Sequence, residues 1–456
     1  MTPTNALDYI YDLQRIGIKF GLENTLRLLK SMGNPHLELK TIHTAGTNGK
    51  GSTAAMVASI LKAAGYRVGL YTSPHLIKLS ERIQINGMPI PEPDLLHEAD
   101  EIRRTIEGLH FAESYPTFFE TVTCLAFSYF ARQGVDMAVV EVGMGGRWDA
   151  TNVCQPLVSV ITNVTLEHQE YLGTTIDAIA REKAGIIKPG CPIVTGAKHE
   201  DALKVIREQS AALGAPLYRI SEIYSCEEEQ GGRTSSLPLA DNPLGNLHIK
   251  REGRPYLTIT PALQGRFQTM NILLAIEVAE RLKALGVDID ERAVTEGIRK
   301  TVWPGRLQKV SRDPCLLLDG AHNPDAAERL AEVIPSQFDY ERLFLVLGIL
   351  KDKDIAGICR RLVPLADHVI LTSPVSDRAA SAAELYDTIQ ADGLAEGRDI
   401  AVYPHLADAL SHARAHAGTK DLILVTGSLY TIGEAMTLLG VEPYPSEAHE
   451  VAPHSI

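Results

Sequence analysis

A chain of 456 residues is too long for one hydrophobic core, so two domains are the expected arrangement. Its 45% hydrophobic and 22% charged residues are typical of a globular protein in water, and a formal net charge of −13 argues against a general affinity for nucleic acid or anionic membranes. The N-terminus lacks the pattern of a secretion signal and no apolar run is long enough to span a bilayer, so the sequence predicts a cytoplasmic protein.

The spacing of apolar residues, glycines and prolines predicts alternating helices and strands over the first 300 residues. Helices are predicted at 5–33, with a break at 17–21, and at 52–64, 93–110, 117–133, 174–183 and 266–285. Strands are predicted at 66–71, 135–142, 157–162 and 192–195. The almost wholly apolar run at 135–142 suggests a strand buried on both faces, and hence a mainly parallel sheet. Residues 215–262 have short alternating runs that suggest a small antiparallel elaboration.

Residues 41–53 are the most informative stretch, because an apolar run there gives way to glycines, a lysine and hydroxyl groups. Three glycines can adopt positive φ and let backbone N–H groups converge on an anion: Gly46, Gly49 and Gly51. Lys50 adds a positive charge for the distal phosphates of a nucleotide, and Ser52 or Thr53 can offer a hydroxyl to Mg²⁺. The stretch is therefore predicted to be a phosphate loop that opens a helix. It departs from the general P-loop pattern, since Thr44 occupies the position of the first glycine.

Polar side chains stand at the carboxyl ends of three predicted strands. Glu141 ends a buried strand, where a carboxylate is costly unless a cation lies beside it. Ser73 and His168 follow two other strands, and the carboxyl ends of strands in open α/β sheets meet at one edge. Taken singly, a serine before proline is usually a turn residue, and a lone histidine after a strand is more often a surface or hydrogen-bonded residue. Their shared topology indicates an Mg²⁺ site beside the phosphate loop.

The segment Trp303-Pro304-Gly305-Arg306 is the best candidate for a domain boundary. Beyond it, strands predicted at 315–319, 343–347, 368–372 and 421–426 alternate with helices, which predicts a second, smaller α/β domain. The predicted fold is therefore α/β. It comprises a P-loop ATPase domain with a mainly parallel sheet at 1–300 and a smaller Rossmann-like domain at 301–456.

Seven motifs, in order along nearly the whole chain, resemble those of the folylpolyglutamate synthase and dihydrofolate synthase family, a branch of the Mur ligases. They are GTNGKGS at 46–52, YTSPH at 71–75, ERI at 81–83, EVGMGGRWDATN at 141–152, REKAG at 181–185, DGAHNP at 319–324 and GSLY at 427–430. The resemblance implies a monomeric, ATP-dependent acid–amino-acid ligase. Its substrates would be L-glutamate and a folate, and the resemblance leaves open whether dihydropteroate is also used.

The implied chemistry has two steps. ATP phosphorylates the carboxylate of the folate to an acyl phosphate, and the amine of L-glutamate then displaces phosphate to form the amide. A carboxylate is a poor electrophile, so conversion of one oxygen to phosphate supplies a leaving group. Positioning of the substrates, with neutralisation of charge by Mg²⁺ and Lys50, would account for most of the rate.

Several site residues are implied by position within these motifs. ATP would be bound by Gly49, Lys50, Gly51, Ser52, Asn271, Arg306 and Asp319, and metal by Ser73, Glu141, His168 and Lys183. Lys183 aligns with a lysine that the family carbamylates, which could bridge to a second Mg²⁺; the alternative is an ordinary cationic lysine that neutralises phosphate. Lys50, Lys183 and His322 are the implied catalytic residues, and His322 and Ser428 are placed to position glutamate or nucleotide. ATP would lie between the domains, so closure would be part of the cycle.

Segments that match the family's pterin site contain Phe119, Glu120, Trp148, Asp149 and Ala150. An aromatic ring could stack on a flat heterocycle, although Phe119 could equally be a core residue of an amphipathic helix. Trp148 stands where leucine is common in the family, and Glu167 where aspartate is usual. Lys19 lies where bifunctional members carry an aspartate. Because a lysine cannot accept hydrogen bonds from the pterin N–H groups, Lys19 favours polyglutamylation over dihydrofolate synthesis.

Two other classes of protein are alternatives to a folate–glutamate ligase. A Mur-type ligase acting on a UDP-linked precursor resembles its relatives in having a domain ahead of the phosphate loop, and only 45 residues precede Gly46 here. A nucleotide-gated binding protein or switch would need neither Arg306 and Asp319 beyond the hinge nor a lysine placed like Lys183. Both alternatives therefore explain less of the sequence than a folate–glutamate ligase does.

Overall fold

The apolar run at 135–142 forms a central strand of a sheet that is buried on both faces, as its composition predicts. The computed structural model describes residues 5–109, 111, 115–228 and 245–444. The first sheet has the order β4-β3-β2-β5-β1-β6-β7-β8 and is parallel except at β2–β3 and β3–β4. Its strands are β1 (Thr41–Ala45), β2 (Val68–Tyr71), β3 (Ile83–Ile85), β4 (Met88–Pro89), β5 (Met137–Glu141), β6 (Pro156–Ile161), β7 (Ile193–Thr195) and β8 (Leu217–Arg219).

Helices cover both faces of this sheet, and their apolar sides form two large buried clusters. The helices are α1 (Ala6–Asp12), α2 (Glu23–Ser31), α3 (Lys50–Ala63), α4 (Glu92–Gly108), α5 (Phe118–Arg132), α6 (Gln169–Leu172), α7 (Ile176–Ala184), α8 (Glu200–Ala212), α9 (Ile220–Ile223), α10 (Gln268–Ala284) and α11 (Glu291–Arg299). The predicted helices are present with shifted ends, and α6, α8, α9 and α11 are additional. The predicted break at 17–21 is also present, between α1 with its short 3-10 extension (Leu13–Ile16) and α2.

The antiparallel elaboration predicted at 215–262 is confirmed from β9 onward as a three-stranded sheet in the order β11-β10-β9, whereas 217–219 instead form the parallel edge strand β8 of the first sheet. The strands of the three-stranded sheet are β9 (Tyr224–Glu228), β10 (Leu247–Arg251) and β11 (Arg254–Ile259). Alternate residues of β10 and β11 are buried in the same cluster as α10, so this sheet extends the core of the first unit. Residues 229–244 of the predicted stretch lie outside the described residues.

A second α/β unit follows, as the sequence predicts, around a sheet in the order β12-β13-β17-β14-β15-β16. Its strands are β12 (Gln308–Arg312), β13 (Cys315–Leu318), β14 (Leu343–Leu347), β15 (His368–Leu371), β16 (Asp399–Val402) and β17 (Leu422–Thr426). Only the edge strand β12 runs antiparallel to its neighbour among these described strands. Its helices are α12 (Pro324–Gln337), α13 (Ile355–Leu362), α14 (Ala382–Ala391), α15 (Leu406–His416) and α16 (Leu429–Leu439). The predicted α/β architecture, with a mainly parallel sheet in each of two successive units, is thus confirmed.

The elements up to α11 are called the N-terminal unit here, and those from β12 onward the C-terminal unit. The two meet where the turn after β2 packs against α16. Leu76 and Ile77 join an apolar cluster of the C-terminal unit. A Cβ atom on Gly433 of α16 would lie 2.1 Å from the carbonyl oxygen of Leu76, so only glycine permits this approach. The contact turns the carboxyl ends of both sheets toward one cleft.

Across the described ranges, none of the helices combines the length and the hydropathy that crossing a bilayer requires.

Candidate active site

The phosphate loop (residues 46–52) leaves the carboxyl end of β1 and is held by the end of the neighbouring strand β6. The side-chain oxygen of Asn163 accepts the backbone N–H groups of Thr47 and Asn48, at 3.2 and 2.8 Å. The hydroxyl of Thr162 donates to the carbonyl of Asn48 at 2.7 Å. These bonds fix the backbone of the loop from one side and leave the N-terminus of α3 facing the cleft.

The glycines of the loop serve two different purposes. Gly46 and Gly49 have φ of +147° and +83°, as predicted for residues that turn the backbone. The expectation for Gly51 was wrong, because this residue lies inside α3 with helical geometry. Its missing side chain matters for packing: a Cβ atom there would lie 2.4 Å from the ring of Trp303. In the same way, the side chain of Asn271 lies against Gly49.

Lys50 is the first residue of α3, and its ammonium group lies over the loop. Nζ donates to the carbonyl oxygens of Gly46 and Thr47, at 3.0 and 3.1 Å. No side chain caps the N-terminus of α3, so its backbone N–H groups remain available to an anion. Both Ser52 and Thr53 are buried from bulk solvent, but only Ser52 of the two lines the adjoining cavity. The structure therefore favours Ser52 as the hydroxyl that faces the cleft.

The three residues predicted to converge from separate strand ends, Ser73, Glu141 and His168, line one cavity of about 410 Å³ together with residues 49–52. The backbone N–H of Ser73 donates to Oε2 of Glu141 at 3.1 Å. Burial raises the pKa of Glu141, although the nearby Lys50 opposes the shift. Burial also lowers the pKa of His168 to about 4, so this imidazole is neutral at neutral pH and its nitrogen can bind a metal.

Within the described ranges, no three or more His, Cys, Asp or Glu side chains are grouped so that they could hold a metal ion by themselves. The predicted set contains only two residues of these types, Glu141 and His168. The other members are a hydroxyl and a lysine, so an ion bound there would also need oxygen atoms from phosphate or water.

Lys183 lies on α7 and is only 2% exposed, next to Glu182, which lines the cavity. Burial, together with repulsion from Lys50, lowers the pKa of Lys183 to about 7, against the attraction of Glu167. In a large fraction of the molecules, Lys183 is therefore a neutral amine near neutral pH. A neutral amine is the form that reacts with carbon dioxide, so the environment fits the predicted modification.

Glu167 is a site residue that the sequence reasoning did not single out. Its Oε1 lies 3.7 Å from Nε2 of His168 and 3.6 Å from Nε2 of His322. Burial opposes ionisation of Glu167, but the nearby imidazole of His322 and the charge of Lys50 hold its pKa well below its usual range. This carboxylate therefore joins the N-terminal unit to the C-terminal unit. Its position after the same strand end as His168 was the signal that could have identified it.

The cavity wall also includes Arg306 of the segment that links the two units, and His322 and Ser428 of the C-terminal unit. His322 donates from Nδ1 to the carbonyl of Gly320 at 2.8 Å and turns its other nitrogen toward Glu167. Asp319 is placed differently, because both of its carboxylate oxygens accept backbone N–H groups, from Leu307 at 3.0 Å and Ala321 at 2.9 Å. The structure thus brings Arg306 to the cavity and places Asp319 behind it. Ser428 caps the N-terminus of α16.

All five predicted folate residues line the same cavity: Phe119, Glu120, Trp148, Asp149 and Ala150. The ring of Phe119 packs where a Cβ atom on Gly143 would be, at 2.5 Å, so it faces the cavity loop as well as the core. Trp148 is 45% exposed. The carboxylates of Glu120 and Asp149 already accept backbone N–H groups, the first in a capping box at the start of α5. Both therefore shape the wall.

The turn at 17–21 closes this part of the cavity, and Lys19 is among its lining residues. Nζ of Lys19 donates to the carbonyl of Tyr115 at 3.1 Å. Two further cations on the wall, Lys353 and Arg378, come from the C-terminal unit and were not identified from the sequence. They lie in loops that reach the cleft only because the two units pack as they do.

Comparison with known protein families gives two matches in chain order. Residues 44–279 match the Mur ligase middle domain, and residues 305–429 match the Mur ligase, glutamate ligase domain. With a phosphate loop in the first part and a second α/β unit facing it, the molecule is a Mur-type ligase, an enzyme of the ATP-dependent ligase class.

Relatives narrow this class. A Bacillus subtilis protein named dihydrofolate synthase/folylpolyglutamate synthase is 36% identical over 433 residues, which cover 94% of this chain and 97% of that protein. A structure of Mycobacterium tuberculosis folylpolyglutamate synthase complexed with ADP and AMPPCP superposes with a TM-score of 0.86 at 33% identity, covering 96% of this chain and 99% of that one. Escherichia coli FolC in complex with DHPP and ADP superposes with a TM-score of 0.83 at 29% identity, covering 96% and 98%. The chain belongs to the folylpolyglutamate synthase/dihydrofolate synthase family.

Proposed function

We propose that this enzyme uses ATP to join L-glutamate to a folate such as tetrahydrofolate. We propose that it also converts dihydropteroate to dihydrofolate, because the ammonium group of Lys19, the residue that argues against this second activity, is held by the carbonyl of Tyr115 at 3.1 Å. The observation that carries the proposal is the composition of one cavity. Its wall holds the phosphate loop at one side and the rings of Phe119 and Trp148 at the other. A flat heterocycle bound against the rings would direct its carboxylate tail toward the loop.

The reaction begins when a carboxylate oxygen of the folate attacks the terminal phosphorus of ATP, which releases ADP and forms an acyl phosphate. The amine of L-glutamate then attacks the acyl carbon, and phosphate leaves as the amide forms. Lys50 and the free N–H groups of α3 would hold the phosphates. The Nδ1–H of His322 is donated to the carbonyl of Gly320, so this residue would act on negative charge in the cavity through Nε2, which lies 3.6 Å from Glu167.

Other assignments follow from position. Nucleotide would contact the backbone of Gly49, Lys50, Gly51 and Ser52 and the side chains of Lys50 and Ser52. Asn271 and Arg306 would lie beside it, and Asp319 would stabilise the turn after Arg306. The folate would lie against Phe119, Glu120, Trp148, Asp149 and Ala150. Residues 1–300 and 301–456 would act as two domains that close on ATP and glutamate, and the enzyme would work as a monomer.

The residues present fit Mg²⁺, since a buried carboxylate, a hydroxyl and a neutral imidazole meet beside the phosphate loop. Ser73, Glu141 and His168 would hold one ion, and a carbamate on Lys183 would hold a second. When bound, Mg²⁺ neutralises the phosphate oxygens and favours transfer of the phosphoryl group. The chain's own contribution is to place these ligands and to keep Glu141 away from water.

Replacing Glu141 with glutamine tests the metal assignment. Glutamine keeps the size of the side chain but removes the charge, so we expect the Mg²⁺ concentration for half-maximal turnover to rise by about tenfold to a hundredfold. The measurement is an Mg²⁺ titration of phosphate release. Asp136→Asn, at the opposite end of β5, is the control and should leave the titration unchanged. An unaltered Mg²⁺ requirement in Glu141→Gln would contradict the assignment.

The function itself is tested by phosphate release from the purified enzyme with ATP, Mg²⁺ and L-glutamate, in parallel with dihydropteroate and with tetrahydrofolate. Release with both acceptors supports the two activities proposed. Release with tetrahydrofolate alone would restrict the enzyme to polyglutamylation and make Lys19→Asp the first variant to examine. ATP turnover that ignores both the acceptor and glutamate would favour a nucleotide-gated binding protein and would overturn the proposal.

A further inference from the structure

Asn48 of the phosphate loop is held by both units of the molecule at once. Its backbone is fixed within the N-terminal unit, where its N–H donates to Asn163 at 2.8 Å and its carbonyl accepts from Thr162 at 2.7 Å. Its side chain is fixed by the C-terminal unit. Nδ2 donates to Oδ2 of Asp325 at 2.7 Å, and Oδ1 accepts from Asn323 at 3.0 Å. The loop and the C-terminal unit are thus joined through one residue.

The partners of Asn48 are at the start of α12, immediately after His322. Asn323 caps this helix, since its Oδ1 accepts the N–H of Ala326 at 2.8 Å, while its Nδ2 turns toward Asn48. Asp325 lies in the first turn and is also held by Arg329 of the same helix, at 3.1 Å. The bonds to Asn48 therefore set the distance between the phosphate loop and the segment that carries His322.

A hydrogen bond to a charged acceptor is the strongest of these contacts, and it crosses the cleft. Losing such a bond changes an equilibrium constant by about tenfold to a hundredfold. The equilibrium at stake here is the closing of the C-terminal unit on the loop. With the bond absent, the closed arrangement would be populated less and water would reach the cleft more often.

We infer that the bond between Asn48 and Asp325 is a latch that keeps the acyl phosphate from water until glutamate attacks it. This inference rests on the proposed function. Attack by the amine yields the amide and phosphate, whereas attack by water yields the free folate carboxylate and phosphate. The two outcomes release the same phosphate but differ in the amide formed. Asn48 and Asp325 are positioning residues, since they act through the loop and through His322.

The test compares variants of Asp325 in the full-length enzyme. Leucine removes the acceptor, whereas asparagine keeps an oxygen that can accept from Asn48. Arg329→Gln is the matched control, because it removes a bond to the same carboxylate without crossing the cleft. The readout is the ratio of phosphate released to glutamate incorporated, measured together with kcat and with the KM for ATP.

For the wild type and Arg329→Gln we expect a ratio of one. For Asp325→Leu we expect a ratio above one and a kcat for amide formation lower by about tenfold. In Asp325→Asn, both the ratio and kcat should lie close to the wild-type values. Combined with Asn48→Ala, the Asp325→Leu change should add little, because both remove the same bond. A ratio of one in Asp325→Leu would overturn the latch. So would a loss of kcat in the double variant equal to the product of the losses in Asn48→Ala and Asp325→Leu.

Hydrogen exchange separates this inference from the proposed function. Exchange of the amides of residues 46–49 is measured with ADP bound and requires no turnover. It should be faster in Asp325→Leu than in the wild type or in Arg329→Gln, and equal rates would overturn the latch. Failure of the wild type to release phosphate with folate and glutamate would refute the proposed function alone.

Discussion

Replacing Lys50 with alanine is expected to lower ATP-dependent phosphate release by about 10³-fold, a loss typical of removing a group that stabilises developing charge. The ammonium group of Lys50 lies 3.0 and 3.1 Å from two carbonyls of the phosphate loop, directly at the N-terminus of α3. Without it, the loop would offer the transferred phosphoryl group hydrogen-bond donors but no positive charge. The measurement is initial-rate phosphate release with saturating folate and glutamate.

Lys62→Ala is the matched control for this variant, since it removes a lysine from the last turn of the same helix. Nζ of Lys62 donates to the carbonyl of Asn86 on the exposed side of the molecule. Turnover of this control should stay near that of the wild type, and thermal unfolding of both variants would show that the fold is retained. Near wild-type turnover in a folded Lys50→Ala would contradict the role assigned to the loop.

Replacing Lys183 with alanine is expected to lower turnover by about 10²-fold, the size of effect seen when a metal site loses a supporting ligand. The pKa of about 7 means that the neutral amine increases as pH rises through 7 and that the ammonium form predominates below it. Carbon dioxide adds only to the neutral amine. Turnover of the wild type should therefore fall below pH 7 and should increase with added bicarbonate near that pH.

Two measurements distinguish a carbamate from an ordinary cation at position 183. Intact mass under native conditions should show one added carbon dioxide in the wild type but not in Lys183→Ala, and a small carboxylate such as acetate should partly restore turnover of that variant. Lys188→Ala is the control, because Lys188 is also partly buried, with its pKa lowered by burial, but donates to Asn152 instead. Absence of both the added mass and the rescue would leave Lys183 as a plain phosphate-neutralising cation.

Much of the fold could be predicted because its signals are local. The apolar run that becomes β5 has the composition of a strand covered on both faces, and polar residues follow β2, β5 and β6 at their carboxyl ends. Parallel strands bring those ends together, so Ser73, Glu141 and His168 were expected at one edge and are found in one cavity. The strands β3, β4, β12 and β16 and the helices α6, α8, α9 and α11 were missed, because their apolar patterns are short or are interrupted by charged residues.

The details of the site that were misjudged or missed depend on contacts between distant segments. Gly51 has its place because Trp303, some 250 residues later, packs against it, and its backbone is ordinary helix. For Asp319, which stays a predicted nucleotide residue, the sequence could not show that its two oxygens accept N–H groups of the hinge and the following turn. Glu167 gains its importance only from His322 across the cleft.

By itself, the sequence determined the chemistry that this chain can perform: a loop that binds phosphate, side chains suited to Mg²⁺, and two α/β units in a fixed order. Residue type, local spacing and strand ends carry that information, because they depend on the backbone nearby. Only the tertiary structure decided which groups lie near one another, including Asn48 with Asp325 across the cleft and the buried Lys183 with Lys50 within the N-terminal unit. Burial and charge–charge distance set those properties, and both arise from the packing of segments hundreds of residues apart.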